Sequence, residues 1–314
     1  MFRFKSTVNP VELKRRYLKK YKMKSLQRKL NALLATYPEI KDELPDDCDA
    51  KKLLIGDFKY LTKVYFAFTG VFEGKSDDEG KAIRKAFVDG GFDYKNHSGN
   101  IGKFLTDPAN GFEIYNCVYC DLEEVTSFIK GTGVKVRGFE TEHVLDKGEC
   151  PLVALSLYNF VPSCGTCNGA AVKGTKTIGD TLDEVVKLSP TVNGYDFEEK
   201  VRFVVNYLNP KADDLKALTH LGDYEIGVDV KDCIFQKSID LFELKSRYNK
   251  DVPKSELIKW WRRKRIYTDN KLKEVAADLG MTLEETIEEQ FELHLRRTKH
   301  YPMEKARRDV MMMY

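Results

Sequence analysis

Two nearby stretches carry most of the information about the fold: residues 139–150 read FETEHVLDKGEC, and residues 157–174 read LYNFVPSCGTCNGAAVKG. The second stretch contains Cys164 and Cys167, and a matching pair, Cys117 and Cys120, lies upstream of the first. Two residues separate the cysteines of each pair, so both thiolates can face one metal ion. The spacing therefore predicts a tetrahedral Zn²⁺ site. Four thiolates leave no coordination position open, so this zinc is expected to be structural.

The alternative interpretation is that these cysteines only pack in a core, as isolated thiols often do. The paired spacing argues against it. Residues 121–163, between the pairs, number 43, more than the roughly fifteen to twenty of an ordinary zinc ribbon, so a sizeable insert is predicted. The remaining cysteines, at 48, 150 and 233, have no such spacing and are expected to be inert packing residues. An odd total of seven argues against a disulfide framework.

The insert and its flank contain residue types suited to phosphodiester hydrolysis: Glu142 and His143, then Asn159, then Asn168 directly after Cys167. A histidine near its reference pKa of about 6.5 is partly neutral and can take a proton from water. A carboxylate and an amide oxygen are ligands that Mg²⁺ prefers. Taken singly, each residue also fits an ordinary role, such as a core histidine, a turn asparagine or a solvated glutamate. The functional hypothesis rests on their conjunction.

In order and spacing these residues resemble the HNH endonuclease superfamily, whose active site is a β-hairpin and a helix (ββα-metal fold) around one divalent cation. The resemblance implies that Glu142 and Asn168 bind catalytic Mg²⁺ or Mn²⁺, that His143 is the general base and that Asn159 steadies the hairpin. Family members commonly carry Asp before the histidine and a Lys about three residues after the final Asn. Here the acid is Glu142, and Lys173 follows Asn168 by five residues.

Adjacent residues of a regular strand point to opposite faces. If Glu142 and His143 serve one site, the hairpin is expected to bend or bulge locally. A weaker likeness extends to LFELKSRYN at 241–249, which is similar to the segment that follows this domain in some bacterial HNH proteins.

The function implied by the resemblance is metal-dependent hydrolysis of DNA in bacterial or phage restriction or antiviral defence, with an ATPase or regulatory protein as a further partner. The alternative is a zinc-stabilised nucleic-acid-binding or assembly module that lacks catalysis. The sequence leaves open the DNA specificity, the acceptance of RNA and the oligomeric state.

Basic residues suggest where nucleic acid is held. Between Arg3 and Lys29 there are eleven Lys or Arg residues and one acid, Glu12, a composition that favours polyanions. Further basic segments occur around 262–265 and 296–308. The predicted nucleic-acid contacts are Lys173, Lys176, Arg262 and Arg263. For each basic segment a solvated helix face is an equally good interpretation. Trp260 and Trp261 are expected to be core anchors.

The fold expected is α+β: a ββα-metal HNH core with zinc knuckles between mainly helical flanks. Three domains are predicted: a helical basic domain at 1–100, the HNH domain at 101–185, and a small sheet plus helices at 186–314. Helices are expected over 10–35, over 51–72 and from about 74–81 to Gly90, and strands over 200–207 and 224–230. No run of eighteen apolar residues is present, so no membrane partner is expected. The N-terminus is too basic for a secretory signal, and a cytoplasmic location is predicted.

Overall fold

The computed structural model describes residues 1–293 and 302–312. Within those ranges the chain is mixed α+β, with helices and three two-stranded antiparallel sheets, which confirms the predicted class. It divides into two compact units. The hairpin unit comprises Arg3–Ile114 and Thr126–Tyr195, and the C-terminal unit comprises Met1–Phe2, Tyr115–Val125 and Asp196–Tyr314.

The hairpin unit is mainly helical. Its helices are α1 (Pro10–Leu18), α2 (Met23–Thr36), α3 (Pro38–Glu43), α4 (Ala50–Ile55), α5 (Phe58–Gly70), α6 (Asp77–Phe87), α7 (Tyr94–Leu105), α8 (Gly165–Asn168) and α9 (Leu182–Leu188). A π-helical turn, Val88–Phe92, follows α6, and Gly91 within it has φ +122°, which a side chain would strain.

A side-chain cap explains where α5 begins. The helix expected over 51–72 is divided at Gly56, and the side chain of Asp57 accepts a hydrogen bond from Tyr60 N at 2.8 Å to start α5. A Cβ at Gly56 would lie 2.5 Å from the carbonyl oxygen of Lys52, so this close approach needs glycine. The helix expected over 10–35 is likewise two helices, α1 and α2.

The strands of the hairpin unit form two small sheets. Strand β1 (Phe128–Ile129) pairs with β2 (Lys135–Val136), and β3 (Glu140–His143) pairs with β4 (Phe160–Ser163). In the second hairpin Glu142 lies opposite Val161 and His143 opposite Phe160, with no residue skipped. Of the bend or bulge expected here, the bulge is absent from the pairing of β3 with β4. In a regular strand Glu142 and His143 point to opposite faces. Both residues are nevertheless buried, because both faces of β3 are covered.

Helices fix the connection between β3 and β4. The Tyr17 hydroxyl of α1 donates a 2.8 Å hydrogen bond to the carbonyl oxygen of Leu155. The Ser156 hydroxyl donates to the carbonyl oxygen of Leu53 in α4. Buried polar groups that find partners in this way orient a segment as well as stabilise it. The N-terminal helices therefore form the packing support of the hairpin.

The C-terminal unit contains one antiparallel hairpin and surrounding helices. They are α10 (Phe197–Lys200), β5 (Val201–Tyr207), β6 (Tyr224–Val230), α11 (Phe235–Leu241), α12 (Leu244–Tyr248), α13 (Asp251–Ile266), α14 (Asp269–Leu279), α15 (Leu283–Phe291) and α16 (Glu304–Met311). The two strands predicted from the alternating pattern are confirmed.

Both tryptophans of α13 are buried, as predicted, and the Trp261 ring lies 5.8 Å from that of Tyr224. Part of the basic segment 296–308 falls outside the described residues. No helix in the described ranges combines the length and apolar character needed to span a membrane.

Candidate functional site

Four buried cysteines lie together: Cys117, Cys120, Cys164 and Cys167, whose Sγ atoms are all within 4.8 Å of one another. A tetrahedral zinc ion with Zn–S distances of about 2.3 Å places its thiolates about 3.8 Å apart. The cluster fits a metal ion such as zinc, and the two spaced pairs are the residues that would hold it.

Tight turns present the thiolates. The amide of Asp121 donates to the carbonyl oxygen of Cys117 at 2.9 Å, and Asp121 adopts a left-handed conformation, φ 56°. The side-chain Nδ2 of Asn116 supports the turn by donating to Asp121 Oδ1 at 2.9 Å. In the second pair, the amide of Cys167 donates to Cys164 Sγ at 3.4 Å. Such N–H donors favour the thiolate form that a metal requires.

Arg247 was not among the predicted site residues. Its guanidinium donates to Cys120 Sγ at 3.4 Å and to Glu123 Oε1 at 3.0 Å, and its side chain is nearly buried. The neighbouring Tyr248 hydroxyl donates to the carbonyl oxygen of Cys120 at 2.8 Å. A cation beside a four-thiolate site offsets its negative charge. Both residues lie in the stretch LFELKSRYN at 241–249. The weak resemblance noted for this stretch in the sequence was the one feature that could have pointed to them.

His143 lies in a closed environment, with 4% of its surface exposed. Its Nε2 is 3.0 Å from the carbonyl oxygen of Ala154. A carbonyl only accepts hydrogen bonds, so Nε2 carries the proton and Nδ1 keeps a lone pair. Nδ1 is buried and has no hydrogen-bond partner among the described residues. Burial, followed by the positive charge of Lys147, lowers the pKa of His143 to about 3, so the ring is neutral.

Aromatic rings cover this histidine. The Tyr94 ring meets the imidazole edge-on at a centroid distance of 4.5 Å, and the Phe160 ring lies at 5.2 Å. Tyr94 is half-buried, whereas His143 and Phe160 are buried. Tyr94 begins α7 and was not identified from the sequence, because nothing in the local pattern links it to a histidine 49 residues later.

Glu142 forms a buried ion pair. Lys173 Nζ is 2.6 Å from Glu142 Oε1, and the two side chains are 1% and 2% exposed. The same ammonium donates to the carbonyl oxygen of His143 at 2.9 Å. Lys173 was predicted to contact nucleic acid. In this structure it lies in the interior, because a buried carboxylate requires a nearby cation.

Asn159 braces the hairpin through main-chain contacts. Its Oδ1 accepts from the amide of Leu145 at 2.7 Å, and its Nδ2 donates to the carbonyl oxygens of Leu145 and Val153, each at 3.0 Å. All of these groups are buried. Asn159 thus holds the chain directly after Glu142 and His143.

Asn168 ends α8, a short helix that packs on β3. Its backbone amide donates to the carbonyl oxygen of Cys164 at 3.1 Å, and the residue is half-buried. Its side chain makes no hydrogen bond with the described residues. The oxygen donors of Glu142 and Asn168 suit a hard cation, but Lys173 already provides the positive charge at Glu142.

The other predicted nucleic-acid contacts are more accessible. Lys176 is exposed and donates to the carbonyl oxygen of Val172 at 3.0 Å. Arg262 and Arg263 lie on α13 in the C-terminal unit and are half-buried. The Arg263 guanidinium lies over the Trp260 ring, 5.2 Å from its centre. This cation–π contact gives Arg263 a packing role within α13 as well as a possible role in binding nucleic acid.

Comparison with family models, curated proteins and solved structures finds no match to this chain.

Proposed function

We propose that this chain is a metal-dependent HNH endonuclease that hydrolyses DNA phosphodiester bonds, with His143 as general base and a structural zinc at the four cysteines. A role in bacterial or phage DNA restriction or defence, alongside an ATPase or regulatory partner, rests on the resemblance alone.

The observation that carries the proposal is the order of parts around the hairpin. Strand β3 holds Glu142 and His143, the residue before β4 is Asn159, and the short helix that follows ends at Asn168. This strand–strand–helix order is the one that the HNH resemblance implies. Asn159 makes the bracing contacts expected of the family's middle asparagine.

The chain's own residues suit the chemistry in defined ways. The neutral His143 ring keeps a lone pair on Nδ1. In an open form, where burial no longer lowers the pKa of the ring, this lone pair could accept the proton of an attacking water. Glu142 and Asn168 would hold the divalent cation. When bound, that cation supplies charge stabilisation at the phosphate and the leaving oxygen.

The proposal requires two rearrangements before cleavage. Lys173 must release the Glu142 carboxylate before that carboxylate can bind a metal ion, and Tyr94 must move to admit water and substrate to His143. The described conformation is therefore a closed form of the proposed active site.

One alternative is favoured by a specific observation. The buried Glu142–Lys173 pair and the covered imidazole also suit a structural core. On that basis the second candidate is a catalytically inactive, zinc-stabilised module that binds nucleic acid or assembles with a partner.

Plasmid cleavage separates the two functions. Purified protein is incubated with supercoiled plasmid and Mg²⁺ or Mn²⁺, and nicked and linear products are quantified on a gel. We expect cleavage that is lost in His143→Ala. The matched control is His220→Ala, which changes an exposed histidine of the other unit and should retain wild-type activity.

Zinc content and folding are measured in both variants, so that loss of activity is not confused with loss of structure. Cleavage that persists in folded His143→Ala would remove His143 from the mechanism. A gel shift without cleavage, under any divalent metal tested, would favour the binding module.

A further inference from the structure

The hairpin unit contains a partly open cavity of about 430 Å³ that none of the predicted site residues lines. Its walls come from the N-terminal segment around residues 3–14, the start of α5, residues 157–160 and residues 186–193. Small-molecule sites typically measure about 300–1,000 Å³, so the cavity can accommodate a small ligand.

Five aromatic residues contribute to the wall: Phe4, Phe58, Phe112, Tyr158 and Phe160. The Phe4 and Phe112 rings are stacked, with centroids 5.1 Å apart and planes at 17°. Flat groups such as nucleobases stack favourably on accessible aromatic faces. The wall therefore suits a planar aromatic group better than a flexible aliphatic one.

The charges around the cavity are strongly one-sided. The lining includes Arg3, Lys5, Lys14 and Lys59 against a single acid, Asp57. The Asp57 carboxylate accepts the amide of Tyr60 as the cap of α5. None of the four cations forms a salt bridge with a carboxylate in residues 1–293 or 302–312. The cavity is thus complementary to an anion.

Arg3 contributes a guanidinium group to the cavity wall. Its Nε is buried and makes no hydrogen bond with the described residues, although its terminal nitrogen donates to Asn193. Phosphate oxygens are acceptors that arginine binds well.

We propose that this cavity binds a nucleotide, with the base against the aromatic wall and the phosphate at Arg3 and Lys14. Lys14 Nζ already lies 5.4 Å from the centre of the Tyr158 ring, so a cation and a stacking surface adjoin. A purely apolar ligand would form no ion pair with the cations, and inorganic phosphate would make no stacking contact with the aromatic rings. The nucleotide can be free, or it can be one residue of a nucleic-acid strand.

Binding is measured by calorimetry without added divalent metal, using the full chain carrying His143→Ala. The result is then independent of whether the protein cleaves DNA. The probes are the four ribonucleoside monophosphates, adenosine, inorganic phosphate and a short single-stranded DNA. We expect at least one monophosphate or the strand to bind more than tenfold more tightly than phosphate or adenosine. Preference for the monophosphate identifies a free nucleotide as the ligand, and preference for the strand identifies nucleic acid.

Arg3→Gln and Lys14→Gln should each weaken that binding about tenfold, because each removes a charge-assisted contact. Lys51→Gln, at an exposed lysine of the same unit outside this cavity, is the matched control and should not change it. Thermal unfolding verifies that all three variants fold. The proposal is overturned if no nucleotide or strand binds, if phosphate or adenosine binds equally well, or if both cavity variants bind like the control.

Discussion

The four-cysteine cluster and the Glu142–Lys173–His143 region are both buried and both contain groups that can bind metal, yet their surroundings differ. In the cluster the four sulfur atoms lie within 4.8 Å of one another, and Arg247 adds positive charge beside Cys120. In the hairpin, Lys173 already neutralises Glu142, and aromatic rings cover His143. The first region could hold a metal ion as it stands, whereas the metal site proposed for the second requires Lys173 to leave Glu142. Buried ligands alone therefore do not distinguish a site ready for its ion from a closed one.

Loss of the proposed zinc should have the largest effect. Cys164→Ser removes one of four thiolates, and structural zinc contributes about 10–16 kcal/mol of apparent binding energy in zinc-finger peptides. We expect zinc content to fall from about one per chain and cooperative thermal unfolding to be lost. Metal content is measured by plasma mass spectrometry.

Cys233→Ser is the control for this experiment, because Cys233 is exposed and outside the cluster. It should keep both zinc and stability. Retention of zinc and an unchanged melting temperature in Cys164→Ser would show that the cluster does not depend on a metal.

Breaking the hairpin ion pair should have the next largest effect. Lys173→Met leaves Glu142 buried without its ammonium partner, which typically costs about 3–5 kcal/mol. Adding Glu142→Gln removes the second charge and should restore much of the stability. The free energy of unfolding is measured in urea for both single variants and the double variant.

Lys176→Met, at a nearby exposed lysine, is the matched control and should change stability by less than about 0.5 kcal/mol. If Lys173→Met is equally mild, the pair is not buried in solution and the hairpin region is open.

The pH dependence of stability should show the smallest effect. The pKa of His143 is lowered to about 3 by burial and then by the charges of Lys147 and Lys173, with the Ala154 hydrogen bond opposing. An unfolded histidine titrates near about 6.5. The unfolded chain therefore binds more protons between these values, so this contribution to stability is complete above about pH 6.5 and declines as the pH falls towards 3.

Between pH 6.5 and 5 the loss attributable to His143 should be about 2 kcal/mol. His143→Gln should reduce the acid-induced fall in the urea midpoint, whereas His220→Gln should retain it. Identical acid profiles for wild type and His143→Gln would indicate that the imidazole is hydrated rather than buried.

The sequence was most informative where the decisive contacts are local. Two-residue spacing predicted the four-cysteine cluster, and alternating residues predicted β5 and β6, because turns and strand faces follow from near neighbours. The adjacent tryptophans of α13 were also assigned correctly to the interior. A mixed α+β architecture followed from these patterns.

The sequence was least informative where side chains meet across the fold. Lys173 pairs with Glu142 across 31 positions, and Tyr94 covers His143 across 49. Neither separation in sequence corresponds to the repeat of a helix or a strand, so no local pattern predicts the contact. The charge of Lys173 suggested a surface contact, and only the packing of α8 and the segment after it against the hairpin explains its burial.

The contacts of Asn159 determine how freely the hairpin sequence can vary. Among residues 1–293 and 302–312, its carboxamide forms hydrogen bonds only with main-chain atoms of Leu145 and Val153. These bonds therefore do not depend on which side chains occupy positions 145 and 153. Position 159 itself has little freedom: aspartate lacks the two N–H donors, and glutamine is longer by one methylene. In a library of hairpin variants selected for folding, positions 145 and 153 should therefore accept other apolar residues. Position 159 should be recovered mainly as asparagine.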